Sequence, residues 1–511
     1  MSERYMIGYD VGTGGCKTVL ATPDGDIVDT DFGEYPVCYA GENCAEQEPE
    51  DWWRAVTATT RRLIERTGTD PSDVMGIAFA SQMLGVLPMS RDGVPLCPGI
   101  IWMDSRAQKQ ARRMVRRMGG ERVLINLVGV VPSGKDVACK LKWFEEEASD
   151  IFDRAEVFLD VKGYMLYRAT GKFVTDQTAA SVTGYMDKKT RGWSPSMARI
   201  LGGSRSLAKM PPVNRSTDIA GGLTGKAADE LGLRPGTPVA TGMGDAPAAM
   251  IGGGALDHGE CVISIGTSGL LLVHSTKSVN LGKFGMASIA AADPSMWLVT
   301  AELITAGGCL KWFSEQLVTP EERESARDLG GIYAELDRAV VKVPPGARRL
   351  IFTPWMFGER APVTDVTLRG GFVNLGIEHT RDDMLRAVYE GVAMNFRWCF
   401  EAAATKGLPC PKVRAIGGGA LSDAWMQVFA DVTGRTIEPV VGALEAGALG
   451  AALVVPVALG RFEGYEAVRK AVKVRRTFQP DAGNRGIYDE LFKQFKHICT
   501  GLAPVYHSLN G

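Results

Sequence analysis

The chain has 511 residues, 45% hydrophobic and 23% charged, with a formal net charge of -2 and a pI near 6.3. That length exceeds what one core supports, so two large domains are expected, and the charge balance argues against a nucleic-acid binder driven by a global positive field. Ten cysteines without a C-x-x-C pair and five histidines without an H-E-x-x-H motif argue against zinc and iron–sulfur frameworks.

The first expected element is an apolar strand from Tyr5, running through Asp10 into Gly12-Thr13-Gly14-Gly15 and then Lys17-Thr18. A phosphate-binding P-loop would need glycines at positions 11 and 16, where Val11 and Cys16 stand, so that motif is absent. A strand ending in glycines still brings backbone N–H groups close to phosphate oxygens. Lys17 adds a charge and Thr13 a hydroxyl donor, while Asp10 suits a magnesium ion better than a phosphate. Taken alone, an ordinary hairpin is the simpler reading.

After a turn at Pro23–Asp26, a third strand over Ile27–Tyr35 completes an antiparallel meander. A helix comes next over Pro49–Gly68, with Trp53, Val56, Leu63 and Ile64 apolar and a closing glycine. Val74–Met83 reads as a strand buried on both faces. The basic run Arg106–Arg117 has helical spacing and is expected to form a solvated face. Strands, helix and buried strand together predict a layered α/β domain. Near its end, Asp245 is the only charged residue in Val239–Gly254. A carboxylate among Gly, Ala and Met is costly unless paired, solvated in a cleft or metal-bound. Capping a helix from Ala246 is the plainer role; a cleft-floor general base is the chemical one.

The domain boundary is expected near Leu256–Glu260, giving domains of residues 1–256 and 257–500 and a tail of 501–511. Glu260–Ser275 repeats the opening pattern of strand, Gly266-Thr267-Ser268-Gly269 and strand. Two such turns fit two related domains gripping a nucleotide's phosphates from both sides. Thr380-Arg-Asp-Asp383 resembles a capping box and opens a helix with Met384, Val388, Val392 and Phe396 on one face. Val413–Ala420 is a strand entering Gly417-Gly418-Gly419, with a helix after it over about 423–432. That triplet suits a ring or ribose lying on bare backbone, or simply a tight strand–helix turn. The longest uncharged apolar stretch, residues 446–460, is interrupted by Pro456 and is too short for a membrane span. Free thiols without a signal peptide point to a cytoplasmic chain.

The chain resembles the FGGY carbohydrate kinases nearly end to end, most of all their xylulokinases. The resemblance rests on DVGTGGCK (Asp10–Lys17), SQMLG (Ser81–Gly85), IIWMDSRA (Ile100–Ala107), TGMGDA (Thr241–Ala246), SIGTSG (Ser264–Gly269), GERAP (Gly358–Pro362), HTRDDMLRAVYEGVA (His379–Ala393) and IGGGALSDAWMQVFADVTG (Ile416–Gly434). It implies two actin-like (ribonuclease H-like) α/β domains closing on MgATP and a small sugar or polyol, and a homodimer. Asp245 would be the catalytic base, with Asp10 beside the metal and phosphates; both carboxylates are candidate Mg²⁺ neighbours. Thr13, Gly14, Lys17, Gly266 and Thr267 would hold phosphates, Gly307 and Gly308 would approach the nucleotide, and Gly418, Gly419 and Ala420 would lie at the adenosine. Gln82, Met83 and Leu84 would border the sugar. Asp104 and Arg106 would form an ion pair or contact substrate.

Two departures stand out. Leu84 replaces the histidine usual in xylulokinases, removing a sugar hydrogen bond of the kind that sets substrate preference. Asn374 replaces a glycine, at a site where asparagine best tolerates left-handed backbone. The expected activity is phosphorylation of a ketopentose such as D-xylulose, with glycerol, erythritol, ribulose or gluconate as alternatives. An actin- or Hsp70-like ATPase would lack the pocket segment at residues 82–84. A glycosidase would use two carboxylates but leave the glycine turns without a role.

Overall fold

The computed structural model describes residues 4–127, 129, 131–327 and 330–511. In the N-terminal half, β1 (Tyr5–Val11), β2 (Gly15–Ala21) and β3 (Ile27–Glu34) form the expected antiparallel meander. Helix α1 (Pro49–Thr67) starts with Pro49, Glu50 and Asp51 in its first turn and ends at Gly68 in the left-handed conformation, φ 64°. Strand β4 (Val74–Ser81) is buried along its whole length. With β5 (Ile219–Gly222) and β6 (Pro238–Gly244), the sheet order is β5-β6-β4-β1-β2-β3. β1, β4 and β6 run parallel.

Helix α2 (Asp245–Gly252) ends this half. The second sheet is built from β7 (Cys261–Ile265), β8 (Gly269–Ser275), β9 (Ala287–Ala290), β10 (Trp297–Leu303), β11 (Lys412–Ile416) and β12 (Thr436–Pro439), in the order β9-β10-β8-β7-β11-β12. Here β7, β11 and β12 are the parallel strands. Each sheet therefore sets a three-stranded antiparallel meander beside two more parallel strands, the repeat that the paired glycine turns implied. Helices α3 (Gly307–Gln316), α4 (Arg381–Ala404) and α5 (Asp423–Thr433) flank the second sheet. Thr380 and Asp383 form the reciprocal capping box of α4.

The apolar stretch after residue 445 is helix α6 (Ala446–Ala458). It packs on β1, β4 and α2 of the N-terminal half, and Met6, Ala78, Ala240, Leu449 and Val454 share one core with the second sheet. That placement explains its composition: a helix enclosed on all sides needs small apolar residues. The last helix, α7 (Arg485–Asn510), carries residues 501–510, and Asn510 Nδ2 donates to Thr367 O at 3.1 Å. Among the described residues, no helix is long and apolar enough to cross a membrane.

Candidate active site

The parallel registers bring the two carboxylates together. Asp10 pairs with Ala80 across β1 and β4, and Gly244 pairs with Ser81 across β6 and β4. Asp10, Gln82 and Asp245 thus emerge from the carboxyl ends of three adjacent parallel strands, where ligands of α/β sheets bind. β6 is bulged between Ala240 and Met243. Gly242 sits there at φ 69°, so close to Phe79 O that a side chain has no room. Such a bulge re-aims the chain beyond it, here Asp245.

Asp245 is the first residue of α2 rather than its cap. Gly244 is the N-cap, and the Asp245 carboxylate accepts from Ala246 N–H, at 2.7 Å. Burial and then the neighbouring Asp10 push its carboxyl up to about 7, with Glu302 of β10 contributing from the other domain. Asp10 Oδ1 is buried without a hydrogen-bond partner among the described residues. Burial raises its carboxyl too, against the opposing charge of Lys17.

The first glycine turn is held from behind. Gln82 Nε2 donates to Gly12 O at 3.2 Å and to Gln47 Oε1 at 2.8 Å, while Gln47 Nε2 donates to Thr13 O at 2.7 Å. Trp52 Nε1 donates to Gln47 Oε1, and Tyr35 Oη to Gly12 O. Gln82 is 2% exposed, so its side chain supports the turn instead of lining open space. Thr13 accepts from Trp102 Nε1 at 2.8 Å, and Gly14 is exposed. Lys17 Nζ reaches across the domain boundary to Leu444 O at 2.7 Å.

In the second domain, Gly266, Thr267 and Ser268 are exposed at the end of β7. Ala306 N and Gly308 N donate to Thr267 O at 2.9 Å each, and Gly307 N to Gly266 O at 2.8 Å. The Gly307 and Gly308 amides, expected to face nucleotide, are therefore engaged by the turn itself. Gly307 has no Cβ because one would stand 2.5 Å from Gly266 O. Ser264 pairs with Ile416, so the Gly417–Gly419 turn lies beside the Gly266 turn. Gly418 has open space where a Cβ would be, whereas Gly419 is pressed against Ile265. Ala420 is fully buried; its methyl belongs to the core and not to an adenosine surface.

Beyond β4, Met83 packs against Gly244. Leu84 adopts φ 63°, a conformation that costs a branched aliphatic residue about 1–2 kcal/mol. Its carbonyl accepts from Lys140 Nζ at 2.9 Å, and Ile101 O accepts from the same ammonium at 2.7 Å. Behind Leu84 lies a cavity of about 30 Å³ lined by Met83, Leu84, Val137, Leu141, Phe158 and Trp193 among others. Asp104 is fully buried: Oδ2 accepts from Ala45 N–H at 2.7 Å, and both oxygens accept from Arg106. Of the two readings left open for Asp104, the ion pair is the one present. Arg106 also meets Glu46, so it is not part of the solvated face of the helix Gln108–Arg117. Trp52 and Trp355 are core residues, while Trp102 remains 37% exposed.

Other contributors are brought together only by tertiary contact. Gly447 of α6 abuts Asp10, a contact between residues more than 400 positions apart. Glu302 pairs with Arg360 of the GERAP segment. Glu359, pushed up to about 7 by burial, accepts from Ile304 N–H at 2.9 Å and Asn395 Nδ2 at 2.6 Å. It thereby fixes the approach to α3. Among the described residues, no group of three or more His, Cys, Asp or Glu could hold a metal.

Two family models match the chain: the FGGY carbohydrate kinase N-terminal domain over residues 5–252 and its C-terminal domain over residues 261–459. The chain belongs to the FGGY family of carbohydrate kinases. This FGGY kinase is 30% identical to a gluconokinase of Bacillus subtilis, over 98% of this chain and 97% of that one. It is 28% identical to a xylulose kinase of the same organism, over 97% of each. Its fold superposes on a gluconate kinase from Lactobacillus acidophilus with a TM-score of 0.88, at 25% identity over 99% of this chain and 100% of the other. A xylulose kinase from that organism gives 0.87 at 25% identity, with the same coverage. The family makes this chain a sugar kinase.

Proposed function

We propose that this FGGY kinase transfers the terminal phosphoryl group of ATP to a hydroxyl of a ketopentose such as D-xylulose. One observation carries the proposal: Asp245, raised to about 7, stands near Asp10 at the ends of two parallel strands that flank β4. The first glycine turn comes directly after Asp10, and Glu302, paired with Leu270 beyond the second turn, also acts on Asp245. A carboxylate with that affinity accepts a hydroxyl proton near neutral pH. Thr13 and Gly14 on one side and Gly266 and Thr267 on the other would hold phosphates, Lys17 would add charge, and Gly418 would leave bare backbone for the adenosine.

A magnesium ion fits this site. The orphaned Asp10 Oδ1 and the mutual repulsion of two half-buried carboxylates are both relieved by a divalent cation. Magnesium that arrives with substrate phosphates needs only one or two protein carboxylates, consistent with the small donor set. Asp10 and Asp245 would hold it, and it would neutralise charge developing on the transferred group. Asp245 keeps the proton taken from the acceptor, Met83 and the Leu84 backbone shape the acceptor side, and Gln82 keeps the first turn in place.

A second acceptor class, the sugar acids, is favoured by one contact. Lys135 Nζ lies 5.6 Å from the Trp102 ring centroid, beside Thr13, where a cation would meet a carboxylate. The resemblance to gluconokinases accords with this. Initial rates with D-xylulose and D-gluconate at matched MgATP decide between them. A higher kcat/KM for D-xylulose upholds the proposal; turnover of D-gluconate alone replaces it with the sugar-acid reading.

A further inference from the structure

Away from the cleft, the second domain has a cavity of about 330 Å³ lined by Arg397, Glu401, Thr433, Gly434, Arg435 and Arg485 among others. Its three arginines come from different elements: α4, the turn between α5 and β12, and the start of α7. Pro411 at the rim precedes β11, which runs to Gly417 at the nucleotide turn, and Thr433 ends α5, which begins just after that turn. Cavity and cleft therefore lie at opposite ends of the same strand and helix.

The charges around this cavity do not balance. Asp489 serves both Arg397 and Arg485, the latter at 2.8 Å. Glu401 is engaged by Lys496 at 2.9 Å. Arg435 has no carboxylate partner among the described residues; its Nε, Nη1 and Nη2 donate to the carbonyls of Cys410, Thr433 and Pro409 at 3.0, 2.8 and 3.4 Å. Four cations thus face two carboxylates. Burial first, and then the Arg397 and Arg485 charges, hold the Arg435 guanidinium below its usual range. Arg435 lies over Phe400, its Cζ 4.5 Å from the ring centroid, and Arg397 lies over Phe492 at 4.4 Å. Gly434, at φ 65°, leaves the space where a side chain would meet Arg485 Nη1. Fixed guanidinium planes with spare N–H groups are the usual receptors for phosphate.

We propose that this three-arginine cavity is a second anion site, binding a phosphate group either free or carried on a small phosphorylated metabolite. Neutralising the excess charge is the driving force, and the cavity's volume leaves room beyond a bare phosphate for a small organic moiety.

Calorimetric titration of the full chain, its cleft saturated with a non-hydrolysable ATP analogue and magnesium, tests the site. Inorganic phosphate and ribose 5-phosphate are the two probes, with Arg485→Gln and Arg435→Lys as variants. Binding with the cleft filled, weakened about tenfold or more in Arg485→Gln, supports the site, and the tighter probe identifies the ligand's source. Arg485→Gln should leave the ATP-dependent kcat/KM unchanged. Loss of binding when the cleft is filled overturns the proposal. So does undiminished binding in both variants once circular dichroism shows them folded.

Discussion

Asp10 of β1 and Gly447 of α6 meet across the domain boundary: a Cβ at residue 447 would approach Asp10 Oδ2 closer than the 3.0 Å that real Cβ atoms keep. Helix α6 thus constrains the position of the Asp10 carboxylate.

Gly447→Ala is therefore expected to act through Asp10. Displacing a catalytic group by about 1 Å costs on the order of 100-fold in rate, so kcat should fall by that order with an unchanged circular dichroism spectrum. Asp10→Ala should abolish turnover without unfolding the chain. Normal turnover in either variant would show that Asp10 is not at the reacting phosphates.

Asp245 links activity to pH and stability. Its carboxyl rises from 3.8 in the unfolded chain to about 7 when folded. The folded state thus holds the proton more tightly, and stability falls as pH rises from about 4 to 7. Asp245→Asn removes that loss. Denaturant titration at pH 8 should find it about 1–3 kcal/mol more stable than the parent, the gain shrinking toward pH 4. In the parent, kcat/KM should drop below about pH 7 as the base protonates. A flat acid limb contradicts the assignment.

Gln82 tests positioning against substrate contact. Its amide holds Gly12 and Gln47, so Gln82→Ala leaves buried groups unpaired and should cost about 1–3 kcal/mol. The apparent KM for ATP should rise while that for the sugar stays level. A rise confined to the sugar would return Gln82 to the acceptor pocket.

Leu84 is expected to govern acceptor choice. Histidine tolerates its left-handed backbone better and restores a hydrogen-bonding group. Leu84→His should shift the kcat/KM ratio of D-xylulose to D-gluconate by about tenfold or more. An unchanged ratio would remove Leu84 from the specificity pocket.

Much of this architecture was legible in local patterns. The two Gly-Thr-x-Gly turns, the lone Asp245 and the Thr380 capping box each declare themselves within a few residues, and Asn374 adopts the left-handed φ of 71° that its chemistry allows. The features that stayed hidden depend on tertiary contact. Sequence spacing cannot show that Gly307 and Gly308 spend their amides on the Gly266 turn, or that Asp104 is consumed by Arg106 and Ala45. Nor can it show that the apolar stretch after residue 445 is a helix packed on the first sheet. Ala420 sits in a motif otherwise open to the cleft, and only the turn's geometry sends its methyl inward.

The most direct test of Asp245 as the base of a sugar kinase is ADP release from MgATP with and without D-xylulose, in the parent and in Asp245→Asn. The expected release depends on the acceptor and is lost in the variant, which remains folded. Release that ignores the acceptor, or that survives Asp245→Asn undiminished, would contradict that role.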